Sequence, residues 1–316
     1  MQARTLLACA VLAASACAPH GRGSDGETVL RTGDPYARGY TDADFPRVQR
    51  IADGVYTYEQ LRSAGDEKFT TVSMFVVTAA GVLVADGQGS VAETQRLVDT
   101  IAGITSAPIT HVVVCSDHGD HTAGNAAFPE SATFLVQPTS FNLLSTGGRV
   151  LNRPAENTRH ELVDDRKVIQ LGGKEIHVLF LGRAHTGGDL VVHLPNEKVL
   201  FMSEAYLNRI FPALRSAYPS EWVAMIDRAR ALNANIYVPG HGFVDSPAVL
   251  REELDTYQRA LRQVIAEATR LHAAGRTVAQ AVAEARFGDL EGWTLRSSQG
   301  PIAIRRVYME LNGELR

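Results

Sequence analysis

One short segment concentrates the donor chemistry of this chain: Ser116-Asp117-His118-Gly119-Asp120-His121-Thr122-Ala123-Gly124-Asn125. It sets His118, Asp120 and His121 almost side by side, directly after the apolar run His111-Val112-Val113-Val114-Cys115. Imidazole nitrogen and carboxylate oxygen are the natural ligands of zinc and related divalent ions. Gly119 is expected to let the backbone turn tightly, so that the side chains around it converge. Taken alone, the cluster reads more readily as a solvated loop than as a metal site. Two distant histidines change that balance. His185 lies in Gly182-Arg183-Ala184-His185-Thr186-Gly187-Gly188-Asp189, and His241 lies in Pro239-Gly240-His241-Gly242. Each follows a strand-like run and sits beside glycines, a poor place for a core histidine and a good one for a ligand.

These turns need strands to carry them. The β-branched runs at residues 55–58, 71–78 and 82–87 predict strands, the last two joined as a hairpin at Ala79-Ala80-Gly81. Residues 91–103 predict a helix, with Val91, Leu97, Val98 and Ile101 at helical spacing. The run at 111–115 predicts a buried strand. Two further pairs follow, 167–171 with 174–181 and 190–194 with 199–202, the second turning at Pro195-Asn196-Glu197. A helix is predicted over 219–233, and the short strand Ile236-Tyr237-Val238 runs straight into the His241 turn. From 247 to 274, Leu250, Leu254, Tyr257, Leu261, Val264, Ile265 and Leu271 form one apolar helical face, with Gly275 placed to end it. Residues 277–285 predict a short helix. This order indicates two packed sheets with helices outside.

With these motifs in order, x-x-His-x-Asp-His-x-x-Gly-Asn after a strand, then Gly-x-x-His-Thr-x-Gly-Asp, then Pro-Gly-His-Gly, the chain resembles the metallo-β-lactamase superfamily over residues 46–245. Asp86-Gly87 is similar to that family's early strand-end aspartate. The resemblance implies an α/β fold, a four-layer αβ/βα sandwich with metals at the sheet edges. It also implies a C-terminal helical extension, residues 246–316, packed on the domain. It implies a first metal site from positions 116, 118 and 185, a second from Asp120, His121 and His241, and an acidic bridge at 204. His118 and His185 match the first site. Ser116 stands where the family has a histidine, and Glu204, after Phe201-Met202-Ser203, where it has an aspartate. A serine hydroxyl is a weak neutral ligand, so the first site loses a strong donor. The second keeps three good ligands and room for water, the usual arrangement of a catalytic zinc.

The expected chemistry is hydrolysis by a metal-activated water of an amide, ester, thioester or lactam, a β-lactam included. Zn2+, as one or two ions, is the expected cofactor, and Asp120 is expected both to ligate and to orient the water. Two histidines and a carboxylate also suit Fe2+, so an iron-dependent oxidoreductase resembling a sulfur dioxygenase is the first alternative. A non-catalytic binding protein is the second, favoured by Ser116 and Glu204 and opposed by the five ligand residues retained. Thr186 and Asp189 are expected to orient ligand histidines. Cys115 is expected as a small buried apolar residue, and His111, His160, His177, His193 and His272 as structural. Arg209, Phe211, Arg215, Tyr218 and Trp222 either line a substrate pocket, an arginine meeting an anion, or form a surface loop.

The 316 residues, 45% hydrophobic and 21% charged, have an ordinary globular composition. A net charge of -4 provides no basic surface for nucleic acid, and a small-molecule substrate is the expected partner. Residues 1–17 read as a signal peptide: Arg4, then an apolar stretch at 6–16 too short to span a bilayer, then Ala14-Ser15-Ala16-Cys17. Cys17 is either lipidated or discarded, and the chain is expected to be exported, periplasmic or membrane-anchored. Residues 18–45, rich in Gly, Asp, Arg and Pro, read as a linker. Cys115 has no cysteine partner within the domain. The oligomeric state is left open.

Overall fold

A computed structural model describes residues 20–22 and 28–315; the leader expected at 1–17 lies outside the described residues. The strands are β1 His20–Arg22, β2 Thr28–Leu30, β3 Arg47–Ala52, β4 Val55–Ala64, β5 Glu67–Thr78, β6 Gly81–Ala85, β7 Ile109–Val114 and β8 Thr133–Val136. They continue as β9 Arg149–Val150, β10 Arg153–Pro154, β11 Arg159–Leu162, β12 Arg166–Leu171, β13 Lys174–Phe180, β14 Leu190–Leu194, β15 Val199–Leu207 and β16 Ile236–His241. The helices are α1 Val91–Ile104, α2 Gly119–Thr122, α3 Pro138–Leu144, α4 Pro219–Ala231, α5 Pro247–Ala273, α6 Val278–Glu284 and α7 Arg296–Leu311.

Alternation along the strands builds two cores. Val82 and Val84 of β6 and Val112 and Val114 of β7 point out to Leu97 and Ile101 of α1. Leu83, Ala85, Val113 and Cys115 point the other way, into the core shared with Ile176, Val178, Val192 and Phe201. A strand buried on both faces reads as a continuous apolar run, which is why the strand over 111–115 is legible. The first sheet runs β11-β8-β7-β6-β5, with β4 pairing β5 and β3 pairing β4; the second runs β16-β15-β14-β13-β12. The two join where β5 and β16 pair at Thr71 and His241. With α1 outside one sheet and α4 and α5 outside the other, this is the α/β sandwich with C-terminal helices.

The C-terminal helices close over the same core. The α5 face predicted from Leu250, Leu254, Tyr257, Leu261, Val264 and Leu271 is buried, and Ile304, Val307 and Tyr308 of α7 pack into the cluster that holds it. Within the helical extension expected over 246–316, α7 is not legible as a separate helix, because Gly300-Pro301 interrupts its pattern.

The segment read as a linker differs from that expectation in its second half. Arg31 pairs with Glu252 at 2.9 Å, and Arg38 forks onto Asp245 at 2.7 and 3.0 Å. Tyr40 stacks on Phe243 with ring centroids 5.4 Å apart. Bidentate guanidinium–carboxylate pairs hold their geometry tightly, so residues 31–45 belong to the folded body. Among the described residues no helix is long and apolar enough to cross a membrane.

Candidate metal centre

The strand end of β7 delivers the first donors. Asp86, just past β6, accepts the Cys115 N–H at 2.7 Å and the Ser203 hydroxyl, tying the two strand ends together. Its other contact is Nδ1 of His121, at 3.0 Å. That pairing turns the Nε2 atom of the fully buried His121 toward the centre, as a carboxylate behind a ligand histidine does. Gly119 opens α2 with no positive φ and open space around its Cβ position, so no tight turn depends on it. It lines the cleft instead.

His185 comes from the loop between β13 and β14. Asp189 shapes that loop by accepting the Thr186 N–H at 2.7 Å and its hydroxyl at 2.9 Å. The pair therefore acts on the loop backbone rather than on a histidine ring, a correction to the expected role. Burial pushes Asp189 up to about 7, against those two hydrogen bonds. Trp222 packs edge-on against the His185 ring at 5.2 Å and fixes it from behind.

Glu204 and His241 reach the centre from the neighbouring strands β15 and β16. A Cβ on Gly240 would lie 2.3 Å from the carbonyl carbon of Ser203 and 2.6 Å from the Glu204 nitrogen, so a glycine is needed for this close passage. His241 follows it, and its Nδ1 donates to the Thr70 carbonyl at 2.9 Å, leaving Nε2 to face the acids.

The donors meet around Glu204. Its Oε1 lies 3.0 Å from His185 Nε2 and 3.1 Å from His241 Nε2; its Oε2 lies 3.0 Å from His118 Nδ1 and accepts the Ser116 hydroxyl. Asp120 Oδ2 stands 3.3 Å from His241 Nε2 and 3.9 Å from His121 Nε2. Donor atoms of His118, His185 and Glu204 lie within 4.8 Å of one another, and so do those of Asp120, His121, Glu204 and His241. The seven positions singled out in the sequence thus converge, Ser116 through its bond to Glu204. His160, His177 and His272 make contacts elsewhere, with Phe141, Glu175 and Asn312. Cys115 is wholly buried in the core.

The electrostatics suit a cation. Burial opposes charge on every member, yet His185, His118 and His121 hold Glu204 well below the carboxylate range, and His121 and His241 do the same for Asp120. In return, against the burial that lowers both, Glu204 pushes His118 up to about 9, and Asp120 with Glu204 pushes His241 up to about 10. A cluster that holds extra positive charge against its own burial fits a divalent ion with nitrogen and oxygen ligands.

A cleft of about 390 Å³ opens over His118, Asp120, His185, Glu204 and His241. Of the five loop residues weighed for a pocket, Arg215 lines it, exposed and without an ion pair among the described residues. Arg209 pairs with Glu253, Phe211 packs on Phe287, Tyr218 lies under Arg183, and Trp222 backs His185. No sequence signal marks Thr70 behind His241, nor Leu295 and Gln299, which line the cleft from the far end of the chain.

Residues 69–241, more than half of the chain, match the Metallo-beta-lactamase superfamily. The chain belongs to that superfamily. At the family level, membership places it among metal-dependent hydrolases. A metallo-beta-lactamase of Chryseobacterium indologenes is 25% identical over 203 residues, 63% of this chain and 82% of its own. The alpha subunit of a 2,4-dinitroanisole O-demethylase from a Nocardioides strain is 23% identical over 197 residues, and this chain spans only 55% of its length. A solved metallo-beta-lactamase from Pontibacter korlensis superposes with a TM-score of 0.59 at 19% identity, covering 68% of this chain and 98% of that one. That likeness concerns the fold. The superfamily match ends at residue 241, before α5, α6 and α7.

Proposed function

We propose that this chain is an exported metal-dependent hydrolase that cleaves an amide, ester, thioester or lactam bond of a small-molecule substrate, β-lactams among them. The supporting observation is that two donor groups sharing Glu204 lie beneath one open cleft. His118, His185 and Glu204 would hold one ion, and Asp120, His121, His241 and Glu204 a second. A bound zinc ion supplies Lewis acidity and brings the pKa of water to about 7. Asp120, its side chain 32% exposed toward the cleft, orients the attacking water. With its carboxyl so far below the ordinary range it stays ionised, which suits it to accept a hydrogen bond and makes it a weak proton acceptor. Asp86 and the Thr70 carbonyl keep His121 and His241 aimed inward. Arg215 suits an anionic group on the substrate. The leader ending at Cys17 supports a periplasmic or lipid-anchored location. An iron-dependent oxidoreductase stands second, because the donors are all nitrogen and oxygen and so also suit Fe2+.

Elemental analysis of the mature chain purified without added metal, combined with turnover of an ester and lactam panel, tests this. About two zinc ions per chain with turnover is the expected result. Iron in their place moves the oxidoreductase to first position. No metal after reconstitution overturns the hydrolase and leaves a binding protein.

A further inference from the structure

The ring of His118 is held at both nitrogens. Its Nδ1 lies 3.0 Å from Glu204 Oε2 and 3.0 Å from His185 Nε2, and its Nε2 lies 3.2 Å from the Ser216 hydroxyl oxygen. A histidine that ligates through Nδ1 carries its proton on Nε2. Ser216 Oγ is placed to accept that N–H, which sets both the tautomer and the angle of the ring. His121 and His241 have the Asp86 carboxylate and the Thr70 carbonyl in the same role. A serine on a loop holds a ring only as firmly as the loop itself is held.

This loop, between Leu214 and the start of α4, is fastened on two sides. The Tyr218 N–H donates to the Ala184 carbonyl at 2.9 Å, next to His185, so the loop backs both histidines of the first donor group. The other fastenings come from α7, which lies beyond the superfamily match. Arg306 spends its fork on main chain, donating to the carbonyls of Ser216 at 3.0 Å and Ala217 at 2.5 Å, with its guanidinium 5.5 Å from the centre of the Tyr218 ring. One turn on, Glu310 accepts the Ser220 N–H at 3.1 Å and its hydroxyl at 2.9 Å, in the first turn of α4. The guanidinium fork is planar and rigid, so it fixes two successive carbonyls against the helix that carries it.

We propose that Ser216 and Arg306 are positioning residues of the metal centre: Arg306 of α7 fixes the loop on which Ser216 holds His118 Nε2, and so keeps Nδ1 aimed at the ion. The inference rests on the reading that His118, His185 and Glu204 hold an ion. The helix that follows the superfamily match thereby governs one of the two donor groups while ligating nothing itself.

Zinc titration against a competing chelator compares the mature chain with Ser216→Ala, Ser216→Thr and Arg306→Lys, and His185→Ala marks which ion belongs to the His118 group. In Ser216→Ala that ion should bind about tenfold more weakly, with the other within about twofold. Ser216→Thr keeps the acceptor and should bind zinc as the parent does. Arg306→Lys keeps the charge and loses the fork, so it should weaken the same ion. A second readout needs no metal: NMR of the metal-free chain labelled at histidine nitrogen. A His118 Nε2–H protected from exchange with water should appear in the parent and in Ser216→Thr, and vanish in Ser216→Ala. Protection of that proton, with no zinc held by the His118 group in any form, supports the hold on His118 and overturns the reading of its group as a metal site. Equal zinc affinity in parent and Ser216→Ala, or an unprotected His118 Nε2–H in the parent, overturns the proposal.

Discussion

The Ser116 hydroxyl donates to Oε2 of Glu204, so the two positions at which this chain leaves the superfamily pattern touch each other. Glu204 has one methylene more than aspartate, and its carboxylate lies within 3.1 Å of ring nitrogens from His118, His185 and His241. A histidine at 116 would offer the first group a third imidazole. The serine instead gives a hydrogen bond to the shared acid. The His118–His185–Glu204 group should therefore hold its ion more weakly than the group containing Asp120, His121 and His241. Dialysis against rising chelator, followed by elemental analysis, should remove one ion well before the other. In Ser116→His the two should leave together. Simultaneous loss from the parent chain would show that serine costs the first group nothing.

Asp86 supports His121 from behind and binds two further groups. Its φ of +62° is one that asparagine tolerates, so Asp86→Asn keeps the backbone, removes the charge and leaves one accepting oxygen where there were two. Zinc affinity should fall about 10–100-fold, as it does when a carboxylate behind a ligand histidine is lost. Competition with a chromophoric chelator measures it, and unchanged affinity would make Asp86 a purely structural brace.

With His118 pushed up to about 9 and His241 to about 10, both rings carry protons at pH 7 that an ion must displace. A raised histidine pKa makes metal binding weaker as pH falls and stronger as pH rises through the raised value. Titration of zinc at pH 7 in buffers of different ionisation heats should therefore show at least about two protons released per chain, with His121, also raised by Asp86 against its burial, able to add to them. Apparent affinity should climb steadily from pH 6 to pH 9. Release of no protons would contradict the charge arrangement described for the cluster.

The Arg38–Asp245 pair fastens the segment before β3 to the chain just past His241, with side chains 7% and 9% exposed. Removing one partner of a buried ion pair strands the other, at about 3–5 kcal/mol. Asp245→Ala should lose about that much stability in urea denaturation, with its midpoint lowered and its slope unchanged. A loss below about 0.5 kcal/mol would return residues 31–45 to the status of a loose tether.

What the sequence made legible follows from its physics. The strand at 111–115 and the α5 face were plain because burial on two faces, or on one helical stripe, writes a periodic apolar pattern. The candidate donor residues stand out because histidines beside glycines at strand ends have few structural reasons to be there. Strand β11, exposed along its whole length, leaves no apolar pattern to read, and β3 alternates only weakly. The docking of residues 31–45 depends on ion pairs such as Arg31 with Glu252 and Arg38 with Asp245, which lie about two hundred positions apart. Leu295 and Gln299 reach the cleft only because α7 folds back, and local pattern carries no record of that return.

The junction of β5 with β16 is a single residue pair, Thr71 with His241. Asp120 and His121 approach this line from the β7 end, while His185, Glu204 and His241 come from the sheet beyond it. Backbone pairing alone makes a thin seam there, and ligation across it would act as a clasp. Binding free energy gained by the native arrangement counts as stability of that arrangement. An ion held there would thus add to the apolar core that already joins the two sheets, at the one line where their backbones also pair.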